Sequence, residues 1–269
     1  MIVMNKIEGI IFDWAGTTVD YGCFAPLHVF LEVFEDKGVK ITLDEARKPM
    51  GLLKIEHIQA IMKMPRVKQA WEKVYGNVPT ENDVNEMYPL FEEKLFKSLA
   101  QFTTPIPGVL QVIDQLRSNG LKIGSTTGYT AEMIEIVSKN AEKEGYAPDV
   151  IATSDLVKEG RPYPWMCYYN AMMLGIYPMS KLVKVGDTTT DMLEGRNAGM
   201  WTVGVILGSS TLGLTQEEVN EMERSLLKEK IEIARNELYA AGAHYVIDSI
   251  KELPQLIETI EEIKEPVLV

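Results

Sequence analysis

The sequence contains few cysteines and few histidines. Its 269 residues include two cysteines and three histidines. Cys23 and Cys167 lie far apart in the chain, so they form neither a metal-binding motif nor the framework of a small disulfide-stabilised domain. Because secreted proteins of that kind depend on closely spaced cysteine pairs, we expect a protein of the reducing cytoplasm.

Basic residues are also in the minority. Lysine and arginine number 27 against 39 aspartates and glutamates, which gives a formal net charge of −12 at pH 7. Proteins that bind nucleic acids or anionic membrane surfaces carry basic patches that meet phosphate groups. The composition therefore argues against nucleic-acid and membrane partners, although it allows an anionic small molecule in a locally positive pocket.

Long apolar runs are absent. No stretch approaches the roughly 20 apolar residues that a helix needs to span a bilayer. The apolar run near the N-terminus contains Asp13 and has no small-residue cleavage site after it, so it is not typical of a signal peptide. We expect a soluble chain.

What the sequence does contain is an alternation of short apolar runs and helical patterns. Helical periods occur at residues 108–119, 131–144 and 165–174, between runs that predict strands. This alternation predicts an α/β fold with a doubly wound parallel sheet, and uninterrupted apolar runs suit strands that are buried on both faces. The predicted strands cover residues 7–12, 121–125, 150–152, 182–186, 201–206 and 244–247.

One interval interrupts the alternation. Residues 22–102 contain no convincing strand, and the segment 103–108 that follows has the composition of a linker. We therefore predict a catalytic core of residues 1–21 and 103–269, with an α-helical cap domain of residues 22–102 inserted after the first strand. The helices predicted within the cap cover residues 26–37, 43–47, 52–63, 67–75 and 81–99.

A capping box marks the start of another helix near the C-terminus. Thr215 is followed three residues later by Glu218, which is the spacing at which the two side chains cap each other's backbone. The pattern predicts one helix that continues to about Ala240.

Polar residues follow the predicted strands at the ends where parallel α/β sheets bind their ligands. Asp13 ends the first strand, Thr127 follows the second, and Asp187 and Asp191 follow the fourth, while Arg161 lies in a loop between them. Each alone is an ordinary capping or turn residue. Together they supply a carboxylate nucleophile, donors for phosphate oxygens, a fixed cation and carboxylates for Mg²⁺, which are the requirements of phosphoryl transfer.

This set of residues resembles the haloacid dehalogenase superfamily of aspartate-nucleophile phosphotransferases, whose cap follows the first strand. The resemblance implies that Asp13 is the nucleophile and that Thr127 binds the phosphoryl group. It also implies that Arg161 replaces the usual lysine and that Asp187 binds Mg²⁺, with Asp191 supporting the metal site.

The residue two positions after Asp13 departs from the common pattern of that superfamily. Its phosphatases carry there an aspartate that protonates the leaving alkoxide, whereas this chain has Ala15. The alanine carbonyl could still bind Mg²⁺, but its side chain has no proton to give. Either the protein is inactive, or its leaving group departs without an acid at this position.

A lysine in the predicted cap favours the second possibility. Lys54 and His57 are three residues apart and thus share one face of a helix. Apolar neighbours surround Lys54 in the sequence, and burial lowers the pKa of a lysine, as imine formation requires.

Together with Ala15, this segment is similar to one family within the superfamily, the phosphonoacetaldehyde hydrolases. The similarity implies hydrolysis of the C–P bond of phosphonoacetaldehyde to acetaldehyde and phosphate, in the degradation of 2-aminoethylphosphonate. Lys54 would form an imine with the aldehyde, and Asp13 would form an aspartyl phosphate, with Mg²⁺ as cofactor. The similarity extends over nearly the whole chain and is carried by residues 11–22, 48–54, 124–129 and 160–167.

The family resemblance also implies further site residues and an assembly. His57 would transfer a proton or organise water, and Met50, Cys23 and Tyr129 would lie near the reacting atoms. The chain would form a homodimer through the cap.

Other functions remain open at this point. A phosphatase or mutase acting on a phosphate ester would use Lys54 only to hold its substrate. A haloacid dehalogenase attacks carbon and needs no acid at the position of Ala15. The pair Asp187 and Asp191 argues against that activity, because it suggests a metal site. A receiver domain shares the α/β architecture, but an insertion of about 80 residues exceeds its ordinary loop lengths. An inactive binding protein would have lost one of the residues that carry out the chemistry. Only Ala15 departs from the pattern of the superfamily, and Lys54 accounts for that departure.

Overall fold

The computed structural model describes residues 6–263 and contains one six-stranded parallel sheet. The strands are β1 Gly9–Phe12, β2 Lys122–Thr127, β3 Val150–Thr153, β4 Leu182–Gly186, β5 Trp201–Val205 and β6 Tyr245–Ile247. Their order in the sheet, β3-β2-β1-β4-β5-β6, is that of a doubly wound α/β fold. All six predicted strands are present, and the predicted fold class is confirmed.

Six α-helices lie between β1 and β2, and we call the first five of them the cap helices. They pack around aromatic residues, among which Phe30 and Phe91 stack with ring centroids 4.4 Å apart. All five correspond to predicted helices. They are α1 Phe24–Asp36, α2 Leu43–Arg47, α3 Lys54–Met62, α4 Pro65–Tyr75 and α5 Glu81–Ser98. The division into a cap of residues 22–102 and a core of residues 1–21 and 103–269 stays a prediction, and residues 1–5 and 264–269 of that core lie outside the described residues.

The remaining helices surround the sheet. Among the described residues, no helix is long and apolar enough to cross a lipid bilayer. These α-helices are α6 Val109–Ser118, α7 Ala131–Lys143, α8 Trp165–Leu174, α9 Thr189–Asn197, α10 Gln216–Glu221, α11 Arg224–Ala240 and α12 Leu253–Glu262. Short 3₁₀ helices cover Leu99–Gln101, Ser154–Leu156, Met179–Lys181 and Ile250–Glu252.

The single helix predicted from Thr215 to Ala240 is wrong, because two helices occupy this segment. The predicted capping box of Thr215 and Glu218 does form and starts α10. The backbone then becomes extended at Met222, with φ −64° and ψ 141°. The Glu223 carboxylate accepts hydrogen bonds from the backbone N–H groups of the first turn of α11, so a second cap begins a separate helix.

The central strand β1 determines where the polar strand ends meet. Phe12 pairs in register with Ser125 of β2 on one side and with Val185 of β4 on the other. Because the three strands are parallel, the residues that follow them emerge at one edge of the sheet. Asp13 and Asp187 thereby become neighbours although they are far apart in the sequence.

Candidate active site

A small cavity lies at this edge of the sheet, between the strand ends and the cap helices. It brings together all the predicted site residues except His57, Asp187 and Asp191. The residues that line the cavity are Asp13, Ala15, Cys23, Met50, Gly51, Lys54, Thr127, Gly128, Tyr129, Arg161 and Thr188. We refer to it as the reactive cavity.

Three buried carboxylates converge on one side of the reactive cavity. Asp13, Asp187 and Asp191 each offer an oxygen, and these oxygens lie within 4.8 Å of one another. Burial, reinforced by the charge of Asp13, raises the pKa of Asp187 to about 8. Burial and the charge of Asp191 likewise raise the pKa of Asp13. Burial acts in the same direction on Asp191, but the charges of Arg161 and Lys184 outweigh it and lower the pKa of that carboxyl.

Asp187 is held by the residues around it. Thr17 Oγ1 donates to one of its carboxylate oxygens at 3.0 Å, and the backbone N–H and hydroxyl of Ser210 both donate to the other at 2.7 Å. Gly16 has a positive φ of 89°, and a Cβ at that position would lie 2.5 Å from Asp187 Oδ2. A glycine is therefore needed for the backbone after Ala15 to pass so close to this carboxylate.

The cluster fits a magnesium ion. Mg²⁺ prefers oxygen ligands and is commonly bound by one or two carboxylates. Crowded carboxylates with raised pKa values repel one another, and a divalent cation would relieve that repulsion. Asp13 and Asp187 offer oxygens for such an ion, and the carbonyl of Ala15 belongs to a residue that lines the same cavity.

Two buried cations face these carboxylates. Arg161 Nη2 lies 2.6 Å from Asp13, Nη1 lies 3.0 Å from Asp191, and Nε lies 3.0 Å from Glu194. Lys184 Nζ lies 3.0 Å from Asp191 and 3.1 Å from Glu194. Three acidic groups thus contact the two basic ones, and Asp187 lies beside them as a fourth, so a divalent cation would balance the excess of negative charge.

Sequence reasoning missed Lys184 and Glu194. Lys184 is fully buried, and its ammonium group also donates to Thr126 Oγ1 at 2.6 Å. The signal in the sequence is a single lysine within the otherwise apolar strand Leu182–Gly186. Since a buried lysine is costly unless it is paired, that lysine pointed to an acidic partner nearby.

Lys54 enters the reactive cavity from the first position of helix α3. Its side chain is buried, and Nζ lies 5.1 Å from the centre of the Tyr129 ring. Burial lowers the pKa of Lys54. The positive end of the helix dipole lies at the same position and also disfavours the ammonium form. Both effects favour a neutral, nucleophilic amine.

Cys23 and Asp20 form the turn that leads from the core into α1. Each has a positive φ of 55°, and Cys23 is the N-cap residue of α1. The Asp20 carboxylate accepts hydrogen bonds at 3.0 Å from the backbone N–H groups of Phe24 and Ala25. Burial raises the pKa of the Cys23 thiol well above its ordinary value. The thiol is therefore uncharged where it lines the reactive cavity.

His57 lies deeper among the cap helices than its spacing from Lys54 suggested. Its ring stacks on Phe30 at a centroid distance of 3.9 Å, and Nε2 lies 2.8 Å from the carbonyl oxygen of Ala46. Burial and the charge of Lys54 lower its pKa well below the ordinary value. His57 is therefore neutral and is not among the described residues that line the reactive cavity.

Comparison with known proteins identifies the family. A family model described as haloacid dehalogenase-like hydrolase matches residues 10–205. A phosphonoacetaldehyde hydrolase of Bacillus cytotoxicus is 62% identical over 257 residues, which cover 96% of this chain and 97% of that protein. The chain belongs to the phosphonoacetaldehyde hydrolase family of the haloacid dehalogenase-like hydrolases.

Two further relatives agree with this membership of the phosphonoacetaldehyde hydrolase family. A phosphonoacetaldehyde hydrolase of Bacillus cereus is 61% identical over 96% of this chain and 97% of its own length. The crystal structure of a phosphonoacetaldehyde hydrolase-like protein from Oleispira antarctica superposes with a TM-score of 0.94 at 36% identity, covering 97% of this chain and 95% of that one. The family resemblance predicted from the sequence motifs is confirmed, as is its class as a hydrolase.

Proposed function

We propose that this protein hydrolyses the C–P bond of phosphonoacetaldehyde to acetaldehyde and phosphate. One observation carries the proposal: the buried amine of Lys54 lines the same cavity as the carboxylate of Asp13. An amine reacts with an aldehyde, and a carboxylate can attack phosphorus. The pair therefore suits a small substrate with an aldehyde at one end and a phosphonate at the other. The names of the relatives that are about 60% identical point to the same substrate.

The first step takes place at the aldehyde. The neutral amine of Lys54 adds to the carbonyl carbon to give a carbinolamine, which takes up a proton from solvent and loses water to give a protonated imine. The pKa of Lys54 is lowered by burial, so a larger fraction of the amine is ready to react. The face of the Tyr129 ring, which lies beneath Nζ, favours the positive charge of the imine that forms.

The second step breaks the C–P bond. A carboxylate oxygen of Asp13 attacks phosphorus in line, and the electron pair of the C–P bond moves into the imine to give an enamine. Asp13 becomes an aspartyl phosphate, which water hydrolyses to phosphate. The enamine takes up a proton on carbon, and hydrolysis releases acetaldehyde and restores Lys54. Because the leaving carbon has an electron sink, no acid is needed at Ala15.

The remaining core residues bind and orient the phosphonate. Arg161 and Thr127 line the cavity beside Asp13 and would bind phosphonyl oxygens. Asp13, the Ala15 carbonyl and Asp187 would hold Mg²⁺, supported by Asp191. Bound there, the ion would neutralise charge between Asp13 and the phosphonate, so that one anion can approach another.

Other parts of the proposal rest on the family resemblance. His57 would transfer a proton or organise water, and its Nδ1, which has no hydrogen-bond partner among the described residues, could accept a hydrogen bond from a water molecule. Met50 and Cys23 would shape the cavity around the aldehyde. The chain would act in the cytoplasm as a homodimer, without nucleic-acid or membrane partners, in the degradation of 2-aminoethylphosphonate.

The direct test is incubation of the purified protein with phosphonoacetaldehyde and Mg²⁺, with acetaldehyde and phosphate measured together. We expect equal amounts of both products and loss of both when the metal is chelated. Glycolaldehyde phosphate, which carries a C–O–P linkage in place of C–P, is the matched control. Since Ala15 cannot protonate an alkoxide, that ester should react far more slowly. Preferred hydrolysis of the ester would contradict the proposal and favour a phosphatase.

A further inference from the structure

Arg47 joins the cap helices to the core at a point outside the reactive cavity. It is the last residue of α2, and its Nη2 donates a hydrogen bond of 2.7 Å to the carbonyl oxygen of Gly213. The two residues are 166 positions apart in the sequence. The guanidinium also lies over the ring of Phe24 at 5.5 Å, which ties it to the first turn of α1. Arg47 therefore contacts two cap helices and the core at once.

The core residue that accepts this hydrogen bond, Gly213, has no side chain and so leaves space for the guanidinium of Arg47. Gly213 has a positive φ of 66°, and a Cβ on this residue would lie 2.6 Å from Arg47 Cζ. Any other residue would be strained and would also collide with the guanidinium. The backbone N–H of Gly213 is bonded to the Ser209 carbonyl at 3.0 Å, so the acceptor for Arg47 belongs to an ordered loop.

That loop, residues 208–214, also holds the catalytic carboxylate Asp187. Ser210 donates two hydrogen bonds to Asp187 Oδ2, and Thr211 Oγ1 donates to the Asp187 carbonyl oxygen at 2.7 Å. At its other side, the Gly208 carbonyl accepts a hydrogen bond of 2.7 Å from the N–H of Gly22, which lies in the turn leading into the cap helices. The loop therefore contacts both the acidic cluster and the turn that leads into the cap helices.

A second cavity lies directly beneath this contact. Arg47 lines it together with Ser210 and Thr211 of the loop, and it shares Met50 and Thr188 with the reactive cavity. Arg47 therefore lines a cavity that adjoins the reactive cavity at Met50 and Thr188.

We propose that Arg47 is a positioning residue that fixes the cap helices to the 208–214 loop and so holds Lys54 opposite Asp13. The proposal rests on the proposed function, since it assigns Lys54 and Asp13 to successive steps of one reaction. Formation of the imine requires Lys54 alone, whereas attack on phosphorus requires both residues at a fixed separation. Loss of Arg47 should therefore impair the second step more than the first.

The Arg47→Met variant tests this assignment, because methionine keeps an unbranched side chain and helix propensity but removes charge and donors. We expect kcat for phosphate release to fall about tenfold, as for the loss of a hydrogen bond to a charged group. Borohydride should still trap the imine on Lys54 in the presence of phosphonoacetaldehyde. Arg47→Lys, which keeps one donor, should recover part of the loss. The control is Arg66→Met, since the hydrogen bonds of Arg66 to described residues are to Glu45 and the Lys40 carbonyl, both within the inserted segment.

Hydrogen exchange supplies a measurement that needs no substrate. In Arg47→Met, amides of the 208–214 loop should exchange faster than in the wild type, while those of α6 should not change. Gly213→Ala should reproduce the faster exchange of the loop and the loss of kcat with Arg47 intact, and the double variant should be no more impaired than Gly213→Ala alone.

These measurements separate the possible failures. Wild-type kcat and KM in a folded Arg47→Met variant, with unchanged exchange in the loop, would overturn the assignment. Additive effects of Arg47→Met and Gly213→Ala would also overturn it, because they would show that the two residues act independently. If Arg47→Met does not fold, Arg47→Lys and Gly213→Ala decide the matter by the same exchange measurement. If the wild type releases no phosphate from phosphonoacetaldehyde, the proposed function fails, while the exchange results still judge the contact.

Discussion

Arg161 Nη2 lies 2.6 Å from Asp13 Oδ1, and both side chains are buried. The same guanidinium group holds Asp191 and Glu194 through its two other nitrogens. One planar cation therefore fixes three carboxylates, one of which is the proposed nucleophile Asp13. A lysine could not do this, because an ammonium group is a point charge on a flexible stem and lacks a rigid fork of donors.

We accordingly predict that Arg161→Lys retains a positive charge but loses most of the activity. Misplacement of Asp13 should lower kcat for phosphate release by about 100-fold. Breaking buried ion pairs should also lower the free energy of unfolding by about 3 kcal/mol, measured by urea denaturation. The control is Arg117→Lys, which alters an exposed ion pair with Asp149 and should change stability by less than about 1 kcal/mol. Full activity of Arg161→Lys would show that the fork geometry is not required.

Replacement of the proposed nucleophile, Asp13, should separate the two proposed chemical steps. Asp13→Asn should still form the imine on Lys54, because that step involves only the amine and the aldehyde. Phosphate release should fall by a factor on the order of 1,000 or more, since a neutral amide is not a nucleophile towards phosphorus. Single-turnover phosphate release and mass spectrometry of the borohydride-reduced protein measure the two steps. Phosphate release at the wild-type rate would remove Asp13 from the mechanism.

The role of Lys54 can be distinguished from simple attraction of the substrate. Lys54→Arg keeps the charge, but a guanidinium does not readily form an imine. The variant should give no borohydride-trapped adduct, and its kcat should collapse rather than its KM rise. Lys63→Arg, at the exposed C-terminal end of the same helix, is the matched control and should react as the wild type does. A lysine that only holds the phosphonate predicts the reverse: no adduct in the wild type and a change mainly in KM.

The pH dependence of trapping reports the environment of Lys54. Only the neutral amine adds to an aldehyde, so the initial rate of adduct formation should rise with pH and then level off. Because burial lowers the pKa of Lys54 from 10.5, the midpoint of that rise should lie below 10.5. Initial trapping rates at limiting phosphonoacetaldehyde, measured across alkaline pH, provide the midpoint. A midpoint at or above 10.5 would mean that the amine is solvated during the reaction.

A second pH effect should appear in stability and originate at Asp20. Burial raises the pKa of Asp20 to about 7 from an ordinary value of 3.8. Between these values the folded state binds more protons than the unfolded chain, so this residue makes stability fall as pH rises, with the full cost present above about pH 7. Asparagine cannot ionise, and it tolerates the positive φ at this position. Its side-chain carbonyl oxygen keeps one acceptor for the backbone N–H groups at the N-terminus of α1. Urea denaturation of Asp20→Asn should therefore show a smaller loss of stability between about pH 4.5 and about pH 7.5 than the wild type. Parallel stability curves would contradict the prediction.

The fold could be predicted from the sequence where local pattern and tertiary environment agree. The six apolar runs are strands because a parallel sheet covered by helices buries both faces of each strand. The parallel arrangement also made it possible to group Asp13, Thr127 and Asp187, because parallel strands end at one edge of the sheet. The helix after Thr215 shows where local pattern is insufficient. Its residues have good helix propensity throughout, and the break at Met222 depends on a second cap supplied by Glu223.

The site residues that the sequence did not reveal are those whose role depends on a partner that only folding brings close. Lys184 stands alone in its strand, and its pairing with Glu194 of α9 exists only after the chain folds. His57 illustrates a different difficulty. A spacing of three residues places it on the same side of α3 as Lys54, but the spacing does not determine depth. Contact with Phe30 and the Ala46 carbonyl holds the imidazole inside the inserted helices.

The pairing of β1 with β4 has a consequence for how such enzymes diversify. Because the two central strands are joined along their length, Asp13 and Asp187 cannot be separated without disrupting the middle of the sheet. Lys54 is free of that constraint, since it belongs to helices inserted between β1 and β2. The residues proposed for phosphorus transfer thus belong to the paired central strands, and the residue proposed to activate the leaving carbon belongs to the inserted helices. Grafting a different insertion onto this sheet should yield enzymes that share a nucleophile but cleave different bonds.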